Sequence, residues 1–245
     1  LDERFIEQRC ENFDVYRQSL EEFDLAKVEA ITGVSADKVA QAARIYATNA
    51  PASILYAMGL TQHTHGTDNV MSVANLAMLT GHIGKESTGV NPLRGQNNVQ
   101  GACDLGALPN VFPGYQGVNI PQVRKNFERA WGCSLSDTPG LTMTEMLPAV
   151  HQGNIKAMYI VGENPLLSEP DIEHAREALR NLDFLVVQDI FPNETAWLAD
   201  VILPVASFAE KDGTFTSTDR RVQRVRQALP PPGEACGDWQ ISCEL

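Results

Sequence analysis

The stretch AMYIVGENP, residues 157–165, predicts how the second half of this chain folds. A short apolar run that ends at glycine and proline is typical of a buried strand. Similar runs occupy 184–187 and 201–203, and stretches with helical patterns separate the three runs, at 169–182 and 193–198. Apolar strands that alternate with helices favour a mostly parallel sheet covered on both faces. We therefore predict an α/β fold in which Rossmann-like parallel sheets are flanked by helices.

Polar residues cluster where two of these predicted strands end. Residues 162–168 follow the first strand, and Gln188 and Asp189 end the second. Ligands of parallel α/β sheets bind just beyond the carboxyl ends of the strands. The two clusters therefore predict a binding edge on this sheet.

The first half of the chain also predicts helices around a short buried strand. The strand is expected at 52–58, and a polar loop at 59–66 follows it. Capping residues and apolar stripes predict the helices of both halves. These helices are expected at 15–25, from Asp24 to Ala30, at 36–48 after the N-cap Ser35, at 68–80, at 120–131 and at 142–151.

The run VNPLRGQNNVQGACD, residues 90–104, combines one cation with several side-chain amides and two glycines, and it has no helical or strand period. Buried amides need hydrogen-bond partners, so such a run is either a solvated loop or the lining of a polar site. Arg94 offers a planar fork suited to a small carboxylate. We expect all of 89–120 to be irregular, and an irregular segment of that length in a compact domain is functional or disordered.

Charge and cysteine usage restrict the class of protein. The net charge of −12 argues against nucleic acid or an anionic membrane surface as a partner. No apolar stretch reaches the ~18 residues of a membrane span, and no signal peptide is visible. Five widely spaced cysteines without a CxxC pair favour buried, reduced thiols in a cytoplasmic protein over a disulfide framework or a zinc site.

The run at 90–104 resembles the active-site segment of the molybdenum- or tungsten-dependent formate dehydrogenases, which belong to the molybdopterin oxidoreductase family. Further blocks resemble the same family, keep its order and extend over roughly 1–238. These blocks lie at 59–66, 79–85, 106–115, 161–165, 187–191, 200–204 and 212–215. The resemblance implies parts of two domains of the formate dehydrogenase/DMSO reductase fold.

The resemblance also implies a function. The chain is expected to be an internal piece of a catalytic subunit that oxidises formate to carbon dioxide at a molybdenum or tungsten bis-molybdopterin guanine dinucleotide centre. Electrons would pass to a 4Fe-4S cluster that this piece does not ligate, and the residue that ligates the metal would lie upstream. The implied partners are formate, the remaining segments of the same subunit and electron-transfer subunits. The isolated piece is predicted to be inactive.

By resemblance, three segments are assigned to domains. Residues 1–96 would belong to a first α/β domain with the substrate-arginine loop, 97–208 to a second that binds the dinucleotide, and 209–245 to an incomplete arginine-rich extension and linker. Arg94 is the implied catalytic, substrate-orienting residue. The implied cofactor-binding residues are Met58, Gln62, Gln96, Gly162, Glu163, Asn164, Ser168, Gln188, Asp189, Ser207 and Asp238. Asn164 stands where some relatives have aspartate.

Two rival interpretations stay open from the sequence. One is another molybdopterin oxidoreductase, such as a nitrate reductase-like enzyme, and the other is a non-catalytic scaffold subunit of a respiratory complex. The block at 94–101 argues against a nitrate reductase and against the large subunit of a respiratory NADH dehydrogenase.

Several further residues are predicted to be structural. His63 and His65 have no third ligand nearby, so no metal ligand is predicted in this chain, and no glycine-rich loop for NAD or ATP is present. His82 is expected to cap a helix end. The arginine-rich stretch 211–226 is expected to be an irregular surface segment.

Overall fold

Short parallel strands organise both parts of this chain. A computed structural model describes residues 1–245 and divides them into two units, Leu1–Gly95 and Gln96–Leu245. None of the helices combines the length and the apolar content that crossing a membrane requires. The assignment of 1–96, 97–208 and 209–245 to domains of the intact protein stays a prediction.

The first unit consists of six helices and two strands. Strand β1 pairs in parallel with β2, and their register places Tyr56 opposite Pro92. In chain order the elements are α1 (Glu3–Arg9), α2 (Phe13–Ser19), α3 (Leu25–Thr32), α4 (Ala36–Thr48), β1 (Ser53–Tyr56), α5 (Met58–Thr61), α6 (Gly66–Leu79) and β2 (Gly89–Pro92).

The second unit contains a three-stranded parallel sheet in the order β5-β6-β7 and two antiparallel hairpins. Its helices are α7 (Val99–Asp104), α8 (Pro121–Trp131), α9 (Met143–His151), α10 (Pro165–Ser168), α11 (Ile172–Arg180) and α12 (Asp238–Glu244). Its strands are β3 (Val111–Phe112), β4 (Gln116–Gly117), β5 (Ala157–Val161), β6 (Phe184–Asp189), β7 (Val201–Pro204), β8 (Gly213–Thr216) and β9 (Val222–Val225).

The core of the second unit lies between one face of this sheet and helices α9 and α11. Ile160, Leu185 and Val187 of the sheet are buried there with apolar residues of both helices. Side chains alternate between the faces of a strand, and on the opposite face Tyr159 and Val161 are 42% and 50% exposed. The parallel sheet with flanking helices is as predicted, and within this chain α9 and α11 cover one of its faces.

The segment 89–120 is irregular only in part, which corrects the prediction. It holds β2, α7 and the β3–β4 hairpin. These elements have two to six residues, too few to show a period in the sequence. The stretch 211–226 was also predicted incorrectly, because β8 and β9 pair there as an antiparallel hairpin. Most of its residues are exposed, so no apolar alternation marks it.

Some helix boundaries were predicted correctly from neighbouring residues and others were not. Asp24 accepts a hydrogen bond from the backbone N of Lys27 (2.8 Å), as its N-cap role predicted. Ser35 precedes α4 without a side-chain capping bond, and Glu29 Oε2 instead accepts from the N of Ala36 (2.9 Å). The predicted helix at 15–25 breaks at a 3-10 turn, Leu20–Glu22. The predicted helix at 193–198 is only a 3-10 turn, Ala196–Leu198.

One prediction about buried residues is confirmed and one needs correction. His82 is 4% exposed, and its Nε2 pairs with the carbonyl of Tyr46 (3.0 Å) in the last turn of α4, so it caps a helix end as predicted. Among the cysteines only Cys103 is buried. Cys10 is half-buried and the others are exposed: Cys133, Cys236 and Cys243.

Candidate functional site

In the first unit, the ends of β1 and β2 lie side by side and lead into the predicted site residues. The N of Leu93 donates to the carbonyl of Tyr56 (2.7 Å), which continues the pairing past the last strand residue. Arg94 follows the end of β2, and Met58 follows the end of β1. The methyl carbon of Met58 lies 3.8 Å from the position that a Cβ on Gly95 would take. The fold therefore brings Met58 close to the arginine loop.

The predicted residues of this edge are accessible to a ligand. Met58, Gln62 and Arg94 are all exposed, and Gln96, the first residue of the second unit, is exposed as well. Gln62 closes the short helix α5, because its N donates to the carbonyl of Met58 (2.9 Å). The exposed guanidinium and amides provide hydrogen-bond donors at a strand end, where a small anion can be bound.

In the second unit, parallel pairing brings the remaining predicted residues to one edge of the sheet. Val161 pairs with Gln188, and Asp189 pairs with Pro204, so the strands β5, β6 and β7 end together. The N of Gly162 donates to the carbonyl of Gln188 (2.8 Å). The residues found at or just beyond these strand ends are Gly162, Glu163, Asn164, Ser168, Gln188, Asp189 and Ser207.

Asn164 joins the loop after β5 to the loop after β6. Its Oδ1 accepts from the N (3.3 Å) and Oγ1 (2.7 Å) of Thr195, and its Nδ2 donates to Glu194 Oε2 (2.6 Å). The hydroxyl of Ser168 donates to Glu163 Oε1 (2.7 Å) in the same loop. Sequence reasoning missed Glu194 and Thr195, because their importance arises from a residue about thirty positions away.

A chain of polar side chains, with the buried Gln188 at its centre, crosses the open face of the sheet. Tyr159 donates its hydroxyl to Gln188 Oε1, Gln188 Nε2 donates to Asp238 Oδ1 (2.8 Å), and Lys211 pairs with Asp238 Oδ2. Gln188 is 1% exposed, and both ends of its amide are bonded. A ligand contact by Gln188 would need one of these bonds to exchange, so that role stays a prediction. Tyr159 and Lys211 are additions that the sequence did not reveal.

Asp189 and Ser207 make hydrogen bonds with residues one to four positions further along the chain. The carboxylate of Asp189 accepts from the N of Ile190 (2.6 Å) and from Asn193 Nδ2 (2.7 Å). The N of Ser207 donates to Glu210 Oε2 (2.8 Å). These bonds fix the orientation of the Asp189 carboxylate at the strand end while leaving it half-buried.

The hydrogen bond from Asn164 lowers the pKa of the Glu194 carboxyl below its ordinary value of 4.5, because the amide stabilises the charged form. A carboxyl with a depressed pKa stabilises the fold above its ordinary pKa, and this stabilisation is lost as the pH falls through the lowered value. The contact between the two loops is therefore strongest at neutral pH.

We expect Asn164→Asp to reverse this dependence. The substitution places a second carboxylate against Glu194, where 2.6 Å now separates the amide from the carboxylate, and like charges at such a distance raise a carboxyl pKa. The variant should be destabilised near neutral pH, and the difference from the native protein should shrink as the pH falls below about 5. Melting temperatures of both proteins across this range test the expectation.

Asn154→Asp is the control, because Asn154 is an exposed asparagine that donates to a neutral amide, Gln152 Oε1 (3.1 Å), instead of a carboxylate. It should show no comparable pH-dependent difference. Equal pH profiles for Asn164→Asp and Asn154→Asp would contradict the assigned role of the Glu194 contact.

The chain belongs to the molybdopterin oxidoreductase family, whose sequence pattern matches residues 17–245. The resemblance noted from the sequence is thereby confirmed at the level of the family.

Several curated sequences similar to this chain carry formate dehydrogenase names. The F420-dependent formate dehydrogenase subunit alpha of Methanocaldococcus jannaschii is 55% identical over 245 residues, which is all of this chain and 36% of that protein. Formate dehydrogenase H of Escherichia coli is 46% identical over 245 residues, again all of this chain and 34% of that protein. The chain thus spans about a third of the length of these relatives.

A solved structure supports the fold. Acetylene hydratase from Pelobacter acetylenicus matches 98% of this chain and 36% of its own chain, with a TM-score of 0.72 and 21% sequence identity. The predicted α/β architecture with parallel sheets is therefore confirmed.

Proposed function

We propose that the intact protein oxidises formate to carbon dioxide, or catalyses the reverse reaction, and that this chain supplies the substrate arginine and one set of dinucleotide-binding loops. The observation that carries the proposal is the exposed Arg94 at the end of β2, within a chain that is 46–55% identical over its whole length to proteins named formate dehydrogenases. Formate loses two electrons and one proton in this oxidation.

Arg94 would bind and orient formate. Its guanidinium is always charged and presents paired N–H donors that match the two oxygens of a carboxylate. Formate has no other substituent to bind, so a bidentate contact leaves its C–H bond directed away from the arginine. Orientation of this kind raises the reaction rate, because the reacting bond is held in one geometry.

The donor and acceptor set at the edge of the second unit fits the guanine end of a molybdopterin guanine dinucleotide. Glu163, Asp189 and Glu194 present carboxylates near the strand ends, and carboxylates accept hydrogen bonds from the ring N–H and the exocyclic amine of guanine. Asp238 and Lys211 add an ion pair that is hydrogen-bonded to Gln188 at the end of β6. When bound, the molybdenum or tungsten group supplies the redox chemistry.

The residues proposed to hold this group are those predicted from the sequence. In the first unit and at the start of the second they are Met58, Gln62 and Gln96. At the sheet edge they are Gly162, Glu163, Asn164, Ser168, Gln188, Asp189, Ser207 and Asp238. Electron transfer to a 4Fe-4S cluster and to further subunits, and a cytoplasmic location, belong to the same proposal for the intact protein.

The experiment that tests the function is metal and pterin analysis of the full-length protein together with formate-dependent dye reduction. We expect molybdenum or tungsten, two pterin guanine dinucleotides and formate activity. A protein that contains the cofactor but does not oxidise formate would act on another small molecule, as in the nitrate reductase-like alternative. A well-folded, fully matured protein without cofactor would support the non-catalytic scaffold.

A further inference from the structure

We propose that Thr195 is a positioning residue for the dinucleotide-binding edge, because its buried hydroxyl fixes the direction in which the Asn164 side chain points. This inference rests on the proposed function, in which Asn164 is one of the residues that hold the dinucleotide. Thr195 lies in the loop after β6 and Asn164 in the loop after β5, and both belong to the second unit. Thr195 is 0% exposed, so its hydroxyl is shielded from a ligand and acts through its neighbours.

The direction of the hydrogen bonds between these two residues follows from a backbone N–H group. The N of Thr195 faces the Asn164 side chain (3.3 Å), and a backbone N–H only donates, so the atom it meets is the carbonyl oxygen Oδ1. Because this oxygen only accepts, the Thr195 hydroxyl donates to it (2.7 Å). The amide nitrogen of Asn164 is therefore directed at Glu194 Oε2 (2.6 Å).

The same hydroxyl takes over a capping role that Asn164 does not fill. Asn164 is the N-cap of α10 but makes no side-chain capping bond, whereas an N-cap side chain ordinarily accepts from the second or third residue of its helix. Thr195 Oγ1 instead accepts from the N of Leu166, the second residue of α10 (3.2 Å). The N–H of Leu166 thus has a partner, while the side chain of Asn164 stays at the edge of the sheet.

Both loops are also anchored to the sheet by other contacts. In the loop after β6, Asn193 Nδ2 donates to Asp189 Oδ2 (2.7 Å), and Asn193 Oδ1 accepts from the N of Ala196 (2.9 Å), so Thr195 lies between two fixed positions. In the loop after β5, Leu166 is buried in the core. The Thr195 hydroxyl therefore adds the orientation of one anchored loop relative to the other.

The physical consequence is a binding edge that is formed before the ligand arrives. Groups that are already oriented lose little conformational freedom on binding, so preorganisation raises affinity. The torsion of a terminal amide has broad energy wells, and without the hydroxyl the half-buried Asn164 side chain is restrained less. The loss of one such hydrogen bond corresponds to about 10-fold in a binding constant.

The first test is Thr195→Val in the full-length protein. Valine has a similar shape but lacks the hydroxyl, so we expect the dinucleotide held by these loops to dissociate about 10-fold faster, measured as guanine nucleotide released per protein over time. Thr195→Ser keeps the hydroxyl and should release it at close to the native rate. Thr216→Val is the matched control, since Thr216 is also a buried threonine and lies in β8, outside both loops. It should leave the rate unchanged.

Hydrogen exchange of backbone amides separates positioning from general stability. We expect the amides of 163–168 to exchange faster in Thr195→Val than in the native protein, while those of β6 keep their native rates. If exchange rises equally in both segments, the hydroxyl contributes only to general stability and the proposal fails.

The second test combines Thr195→Val with Asn164→Ala. Asn164→Ala removes the side chain that the hydroxyl orients, so the double variant should release the dinucleotide little faster than Asn164→Ala alone. If the two increases in rate multiply instead, the residues act independently and Thr195 does not act through Asn164.

The native protein distinguishes failure of this inference from failure of the proposed function. If the native full-length protein contains no guanine dinucleotide, the proposed function fails and the role of Thr195 fails with it. If the native protein contains the dinucleotide and Thr195→Val releases it at the native rate, only the positioning role is overturned.

Discussion

Arg94→Ala in the intact enzyme is expected to lower formate turnover by about 100- to 1,000-fold, the range found when a single preorganised donor is removed from an active site. Arg94 is the exposed cation just after β2, beside Met58 at the start of helix α5. Its loss removes both the charge that binds the carboxylate and the paired donors that orient it. The measurement is formate-dependent dye reduction normalised to metal content, so that cofactor loading does not confuse the comparison.

Arg94→Lys separates charge from geometry. Lysine keeps the positive charge but lacks the planar guanidinium with its paired N–H donors. We therefore expect KM for formate to rise less in Arg94→Lys than in Arg94→Ala, and kcat to fall by a similar factor in both variants. Arg44→Ala, which removes an exposed arginine on α4, is the control for charge alone and should be fully active. Formate turnover that survives in Arg94→Ala would refute the catalytic role.

Leu185→Ala is expected to give the largest loss of stability, about 2–5 kcal/mol in the free energy of unfolding. Leu185 is 1% exposed and packs in the core of the second unit with residues of α9 and α11. It lies in the middle strand of the parallel sheet, three residues before Gln188. The cavity left by the substitution would weaken the sheet that positions the dinucleotide-binding edge.

The apparent melting temperature of the intact protein measures this effect. Leu167→Ala is the control, because Leu167 is 69% exposed in the short helix α10 beside the same edge, and exposed substitutions usually change stability by less than about 0.5 kcal/mol. Equal melting temperatures for the two variants would show that the core does not lie where the structure puts it. A dinucleotide content that is lower in Leu185→Ala but unchanged in Leu167→Ala would show that packing of the core supports dinucleotide binding at the sheet edge.

The sequence by itself determined the elements whose signals are local. The strand predicted from residues 157–161 has those bounds in the structure, and the helix predicted at 36–48 also has its predicted bounds. Asp24 caps its helix as predicted. A run of apolar residues or a capping side chain acts over a few positions, so a single stretch contains all the information needed. The same apolar runs also predicted where the polar residues lie. Parallel strands end at one edge of the sheet, so the polar residues that follow the strands lie close together there.

Tertiary structure alone decided how distant stretches meet. The hairpin at 213–225 and the short elements within 89–120 have no period to reveal them, and a hydrogen bond from the N of Thr216 to Asn98 Oδ1 joins residues 118 positions apart. Tyr159, Gln188, Asp238 and Lys211 form a chain of contacts for which no local pattern exists. Such contacts arise only after the strands have paired, because hydrogen bonds and packing depend on distance in space, whereas periodicity and capping depend on distance along the chain.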